Sequence, residues 1–316
     1  MKLFSPFDWS TLGYMLISGI YMLYGYDKVE ALGWHFLYRL LVGLLICLLV
    51  YLDKNIDTPS VKKNIALART IYAYFILNFF YSETSYIKNI VFNQDLDNYV
   101  ASIEQHLWGM QPSIEFPAYL NIPWFKELMY FAYFSFYLMI PVVGLSIYFK
   151  HKEKASKPLF MIVFSFYLFY IVYDVFPVLG PQYYYHTYGN EGEPAYLFGK
   201  IMRYLQQNVE RPTGAFPSSH AGMGLALCYI AYKHHRKIFW YVLPFLIGIC
   251  FATVYLKEHY LVDVLAGLFI APVFMYISGN VYPKILLLSE KIKETDSSKE
   301  SESPNEDEEI SPVIIK

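Results

Sequence analysis

The stretch RPTGAFPSSHAGMG, residues 211–224, sets an arginine, a proline and two serines ahead of a histidine at the start of an apolar run. Pro217 suits the first turn of a helix, and Ser218 and Ser219 fall where a helix leaves main-chain N–H groups without partners. A helix start of that kind beside a guanidinium, here Arg211, is built to hold an anion such as a phosphate. A second group follows in HYLVDVLAG, where His259 and Asp263 are four apart and share one helix face. A carboxylate that accepts one ring N–H fixes the imidazole tautomer and leaves the other nitrogen free as a nucleophile or base. Taken alone, those two residues also fit an Asp–His pair that merely satisfies itself at a helix end. That plainer reading weakens once His220, Ser218 and Arg211 converge on the same place.

Whether they converge depends on the elements that carry them. Apolar residues make up 56% of the 316-residue chain, aromatics 20% and charged residues only 16%. A soluble domain of this size would expose too much of that surface, so an all-α integral membrane protein is expected. Eight stretches approach the roughly 20 apolar residues a spanning helix needs: 11–26, 33–52, 69–87, 124–149, 158–178, 218–232, 238–256 and 260–281. Lysine and arginine gather in loops 53–69, 150–157 and 233–237 and after the last span, which with eight spans puts them all on one face, the cytoplasmic one. His220 then opens the sixth span and His259 the eighth, both on the opposite, extracytoplasmic boundary, with Arg211 on the loop feeding the first of them. The outer loop 88–123 contains DLDNYVASIEQHLWGMQPS, a weakly amphipathic stretch expected to lie along the interface with Trp108 at headgroup depth.

Net charge is −2, unevenly spread: residues 289–316 hold nine acids against four lysines, a balance of −5, which leaves +3 on residues 1–288. The acidic tail is expected to be disordered and cytoplasmic. Cys47, Cys228 and Cys250 sit in apolar runs without metal or redox spacing and read as packing residues. The N-terminus lacks a cleavage site of small residues and reads as a retained first helix.

The pattern RP…PSSH…VYLKEHYLVD resembles the type 2 phosphatidic acid phosphatase superfamily. The resemblance implies that residues 69–288 form a six-helix catalytic domain, residues 1–68 two added helices, and residues 289–316 the tail. It implies that His259 attacks phosphorus to form a phosphohistidine held by Asp263, and that His220 protonates the leaving alkoxide. Arg211, Ser218 and the main chain at Ser219 would hold the phosphoryl oxygens, and no metal or other cofactor is needed. Four positions depart from the superfamily pattern. Tyr204 stands where a lysine is usual, with Lys200 and Arg203 nearby as substitutes; Ala252 and Thr253 replace a Ser-Arg pair; Ser219 replaces glycine. Lys257, beside the nucleophile, is a further auxiliary cation. Fewer cations suit a phosphodiester better than a more highly charged monoester. That reduced set, with DNYVASIEQHLWGMQPS and FPVLGPQYY, resembles the inositol phosphorylceramide synthase and sphingomyelin synthase branch, which moves a phosphoryl headgroup between lipids.

The expected partners are therefore membrane lipids and the bilayer of an inner or plasma membrane, with no nucleic acid. Arg39 and Asp174, and Glu83 with them, read as a structural charge network within the membrane. His186 and Lys200 read as solvated loop residues, and His234 and His235 as part of the basic cytoplasmic loop. Rival readings are an intramembrane serine protease, a zinc site on His220, His259 and Asp263, and a non-catalytic transporter or scaffold.

Overall fold

The computed structural model describes residues 4–187 and 196–301. Every regular element among them is helical. The N-terminal part comprises α1 (Pro6–Tyr24), α2 (Leu32–Asn55), α3 (Pro59–Ile87), α4 (Asp97–Trp108) and α5 (Pro112–Tyr119). Then come α6 (Pro123–Lys150), a 3-10 turn at Lys152–Lys154, α7 (Ser156–Val175), α8 (Pro181–Tyr184), α9 (Leu197–Asn208), α10 (Ser219–His234), α11 (Arg236–Tyr255) and α12 (Leu261–Ser301). Each of the eight apolar stretches lies on one of the long helices. Among the described residues, five helices (α2, α6, α7, α11 and α12 as far as Ser289) are long and apolar enough to cross a membrane. The chain is thus a multi-pass membrane protein. Helix α12 continues past residue 289, the expected start of the acidic tail, and residues 302–316 lie outside the described residues.

Local chemistry sets the helix starts. Ser5 and Asp8 form a reciprocal capping box ahead of α1, with Pro6 in its first turn. Pro59 and Pro123 open α3 and α6 in the same way. The core is mostly aromatic and aliphatic: Tyr14, Phe80, Phe160, Phe169, Tyr173, Met223 and Leu227 are buried between α1, α3, α6, α7 and α10. Outward-facing Leu41, Leu44, Leu48, Phe149, Ile247, Phe251 and Phe269 leave an exposed apolar band, the surface a bilayer covers.

Two features bear directly on the site. Helices α10 and α12 approach so closely that a Cβ added to Gly267 would lie 2.2 Å from the Ser218 carbonyl oxygen. Only glycine permits that crossing, a use of small residues common where membrane helices meet. Secondly, the basic loops gather at one end of the bundle. Tyr282 Oη lies 3.0 Å from Ser156 Oγ, Tyr74 Oη donates to the Leu159 carbonyl, and Arg69 binds both Asp8 and Asp53. Helix α10 leads from that end to the other, with His234 and His220 separated by ~21 Å at 1.5 Å per residue.

Candidate active site

Ser218 is the N-cap of α10: its Oγ accepts from the Ala221 N–H at 3.3 Å, and its own N–H donates to the Asp263 carbonyl at 2.9 Å. The cap fixes the direction in which His220 leaves the helix. The His220 ring packs against Tyr133 and Phe136 of α6, with centroids 4.7 and 4.6 Å away. On the other side, the turn between α11 and α12 carries His259, which is 3% exposed. Its main-chain N–H and that of Glu258 both donate to the Thr253 carbonyl, closing the end of α11.

The two imidazoles touch: His220 Nδ1 lies 3.1 Å from His259 Nε2. His259 Nδ1 is 2.8 Å from the Ala215 carbonyl oxygen, which can only accept, so that nitrogen carries the proton. Nε2 of neutral His259 is therefore the unprotonated nitrogen, and His220 Nδ1–H donates to it. Burial pulls the pKa of His259 down to about 4, partly offset by the Ala215 carbonyl, so the ring is neutral at pH 7. Chemically, this is a basic nitrogen and a proton donor aimed at one point. An in-line displacement at phosphorus has attacking and leaving atoms on opposite sides, so an entering phosphoryl group must part the two rings.

The sequence predicts that Asp263 accepts the His259 ring N–H, and the structure corrects this. Asp263 Oδ2 is 3.7 Å from His259 Nδ1, too far for a hydrogen bond, and instead accepts the Tyr260 main-chain N–H at 2.8 Å. The physical reason is that His259 sits in the turn two residues before α12 begins, so the helical i, i+4 geometry is not met and the Ala215 carbonyl lies nearer to the ring. Asp263 is wholly buried and among the described residues its Oδ1 has no partner. The phosphate cradle also differs in detail. Ser218 is fully buried with its Oγ engaged in the cap, and Ser219 meets the Tyr173 hydroxyl.

Arg211 stands exposed, and among the described residues its side chain has no hydrogen bond or ion pair. It is the available cation on the loop that leads to His220. Lys200 is exposed on α9 and Arg203 is half-buried there, while Lys257 is half-buried with a left-handed backbone (φ 63°). Tyr204 is exposed, and Ala252 and Thr253 are buried packing residues at the end of α11. His186 is exposed on its loop. Among the described residues, no three His, Cys, Asp or Glu side chains converge so as to hold a metal ion.

Several groups at the site escape sequence reasoning. Glu258 is 8% exposed and accepts from the Gln182 and Gln206 side-chain amides; Glu210 receives the Tyr133 and Tyr137 hydroxyls. Burial raises the pKa of the Glu210 carboxyl, which pairs with Glu258. Helix α4 contributes Asp97 and Glu104, both facing inward. Their seven-residue spacing is the one signal available in the sequence. Without knowledge of what receives them, they look like the solvated side of an interfacial helix.

A family model described as the PAP2 superfamily matches residues 98–277. No curated protein and no solved structure matches the chain.

Proposed function

The chain belongs to the PAP2 superfamily, and from that premise we propose that it cleaves or transfers the phosphoryl group of lipid phosphate esters through a covalent histidine intermediate. The observation that carries the reading is the 3.1 Å contact between His220 Nδ1 and His259 Nε2, two residues 39 apart in the chain. In the first step His259 Nε2 attacks phosphorus, the P–O bond to the lipid alkoxide breaks, and that oxygen takes a proton from His220. In the second, water or a lipid hydroxyl attacks phosphorus and gives its proton to His220 as the P–N bond breaks. Arg211 meets the phosphoryl oxygens, Ser218 and Ser219 shape the helix start beneath them, and Asp263 holds the turn that bears the nucleophile. The basic loops at the far end of the bundle support a site that opens on the extracytoplasmic side.

A finer reading is an inositolphosphotransferase that makes inositol phosphorylceramide-like lipids. It is favoured by charge: positions 204, 252 and 253 carry no cation, Glu258 directly precedes His259, and Glu210 receives the hydroxyl of Tyr133, whose ring packs on His220. Two nearby carboxyl groups oppose a dianionic monoester more strongly than a singly charged diester. The test is purified protein in vesicles containing labelled phosphatidylinositol, with and without ceramide or diacylglycerol, and in parallel vesicles of phosphatidic acid. Product formed only with an acceptor lipid marks a transferase; inorganic phosphate released from phosphatidic acid marks a phosphatase. Neither product from folded protein would overturn the enzyme reading, including in favour of a transporter or scaffold.

A further inference from the structure

Helix α4 lies outside the histidine-bearing elements, yet its inward face is chemically unusual. Tyr99, Ile103 and Leu107 form an exposed apolar stripe, while Asp97 (1% exposed) and Glu104 (0%) are turned into the protein. A buried carboxylate is retained only where it is well paired. Asp97 Oδ2 accepts the Leu179 N–H at 2.8 Å, and Oδ1 accepts the Gly180 N–H at 2.9 Å and the Tyr260 hydroxyl at 3.1 Å. Gly180 has φ 102°, and a Cβ there would lie 2.7 Å from the Glu258 carbonyl oxygen, so this segment lies directly against the turn that carries His259. The Val178 carbonyl in turn accepts the Ala215 N–H at 3.1 Å, and the Ala215 carbonyl receives the His259 ring proton. An unbroken path of hydrogen bonds and peptide units thus runs from Asp97 to the Nδ1 of His259. Glu104 holds the adjoining element: its Oε1 accepts the Val262 N–H at 3.0 Å in the first turn of α12, one residue before Asp263, and its buried Oε2 has no partner among the described residues.

We propose that Asp97 is a positioning residue for the His259 imidazole, acting through Leu179–Gly180 and the Ala215 carbonyl, with Glu104 steadying the start of α12. This rests on reading His259 as the attacking group. The carboxylate matters because all three of its partners are donors. An amide at position 97 turns an N–H toward at least one of them, which loosens segment 178–180 and so the carbonyl that selects the imidazole tautomer. An ångström of misplacement at a reacting group is enough to cost about 100-fold in rate.

The experiment compares wild type, Asp97→Asn, Tyr260→Phe and, as the spectral reference, His259→Gln, all as full-length protein in vesicles containing whichever phospholipid wild type turns over. Histidine-selective ¹⁵N spectra give the His259 resonance, identified by its absence in His259→Gln. For Asp97→Asn, kcat is expected to fall by about 10- to 100-fold with KM within about twofold of wild type. The His259 signal is expected to move from the Nδ1–H form toward a mixture of tautomers. Should Asp97→Asn not yield folded protein, Tyr260→Phe carries the same two readouts, with a fall of several-fold. Unchanged kcat and an unchanged resonance in the folded variant would overturn the proposal. So would a loss of kcat with the resonance unchanged, because the effect would then bypass His259. If wild type turns over no lipid phosphate, the proposed function fails, and the ¹⁵N signal alone still decides whether Asp97 positions the ring.

Discussion

Two polar regions lie within this apolar bundle, and they are finished differently. In the N-terminal helices, the Arg39 guanidinium forks onto the Glu83 carboxylate, with Nη2–Oε2 at 2.8 Å, while His35 and Ser18 take the remaining directions. Arg69 likewise binds Asp8 and Asp53, and Tyr72 donates to the same Asp8. These charges are closed on one another. Around the histidines, two imidazoles share one contact, and among the described residues one oxygen of Asp263 has no partner and Arg211 is unpaired at the surface. Charges in the first region lock helices together; the second keeps unspent hydrogen-bonding capacity for a phosphoryl group. Asp174 lies near the first network, and among the described residues its Oδ1 has no partner, so even that region is not wholly satisfied.

Removing groups from each region should separate the two roles. His259→Ala is expected to lower phosphoryl transfer by about 10⁴-fold or more while leaving thermal unfolding within a few degrees of wild type, as measured by lipid turnover and a melting curve. Glu83→Ala should do the reverse. It leaves Arg39 buried and unpaired and costs about 3–5 kcal/mol of stability, with kcat of the surviving folded protein little changed. Gly267→Ala joins the two effects, since its methyl group would press on the Ser218 carbonyl. About 1–3 kcal/mol of stability should be lost, with activity falling as α10 is pushed away from α12. Arg211→Ala is expected to reduce kcat/KM by about 10- to 100-fold, the loss of one charge-assisted contact of about 1.5–3 kcal/mol, without altering the melting temperature, because among the described residues this side chain has no partner.

The smallest effect concerns pH. Burial raises Glu104 to about 7, so the folded state binds more protons there than the unfolded chain between the ordinary carboxyl value of 4.5 and about 7. Stability from this group is present at low pH and lost as pH rises through that window. Burial of neutral His259 works in the opposite sense below its ordinary value of 6.5, favouring the fold as pH rises from about 4. Glu104→Gln should therefore show a smaller fall in melting temperature between pH 5 and pH 8 than wild type. An identical pH slope in both proteins would contradict the burial effect.

Much of this was legible in the sequence for identifiable reasons. Long apolar runs and basic loops indicate the helices and the shared end of His220 and His259, because bilayer thickness and charge asymmetry act on local composition. Arg39 and Glu83 could be foreseen as members of one network because buried charges must find each other. The acceptor of the His259 proton could not: Ala215 contributes a main-chain carbonyl, which any residue carries, so no letter marks it. Asp97 was hidden for a related cause. Its partners are main-chain N–H groups 82 and 83 residues away and a hydroxyl 163 residues away, and only folding brings them to α4.

The central claim is that His259 forms a bond to phosphorus. Wild-type protein mixed with a phospholipid labelled with ³²P at the phosphoryl group, quenched in alkali where a P–N bond survives, and mapped by peptide mass spectrometry tests it most directly. Label on His259, absent from His259→Ala, is the expected result; continued turnover by wild type with no trapped label, or with label on another residue, would contradict it.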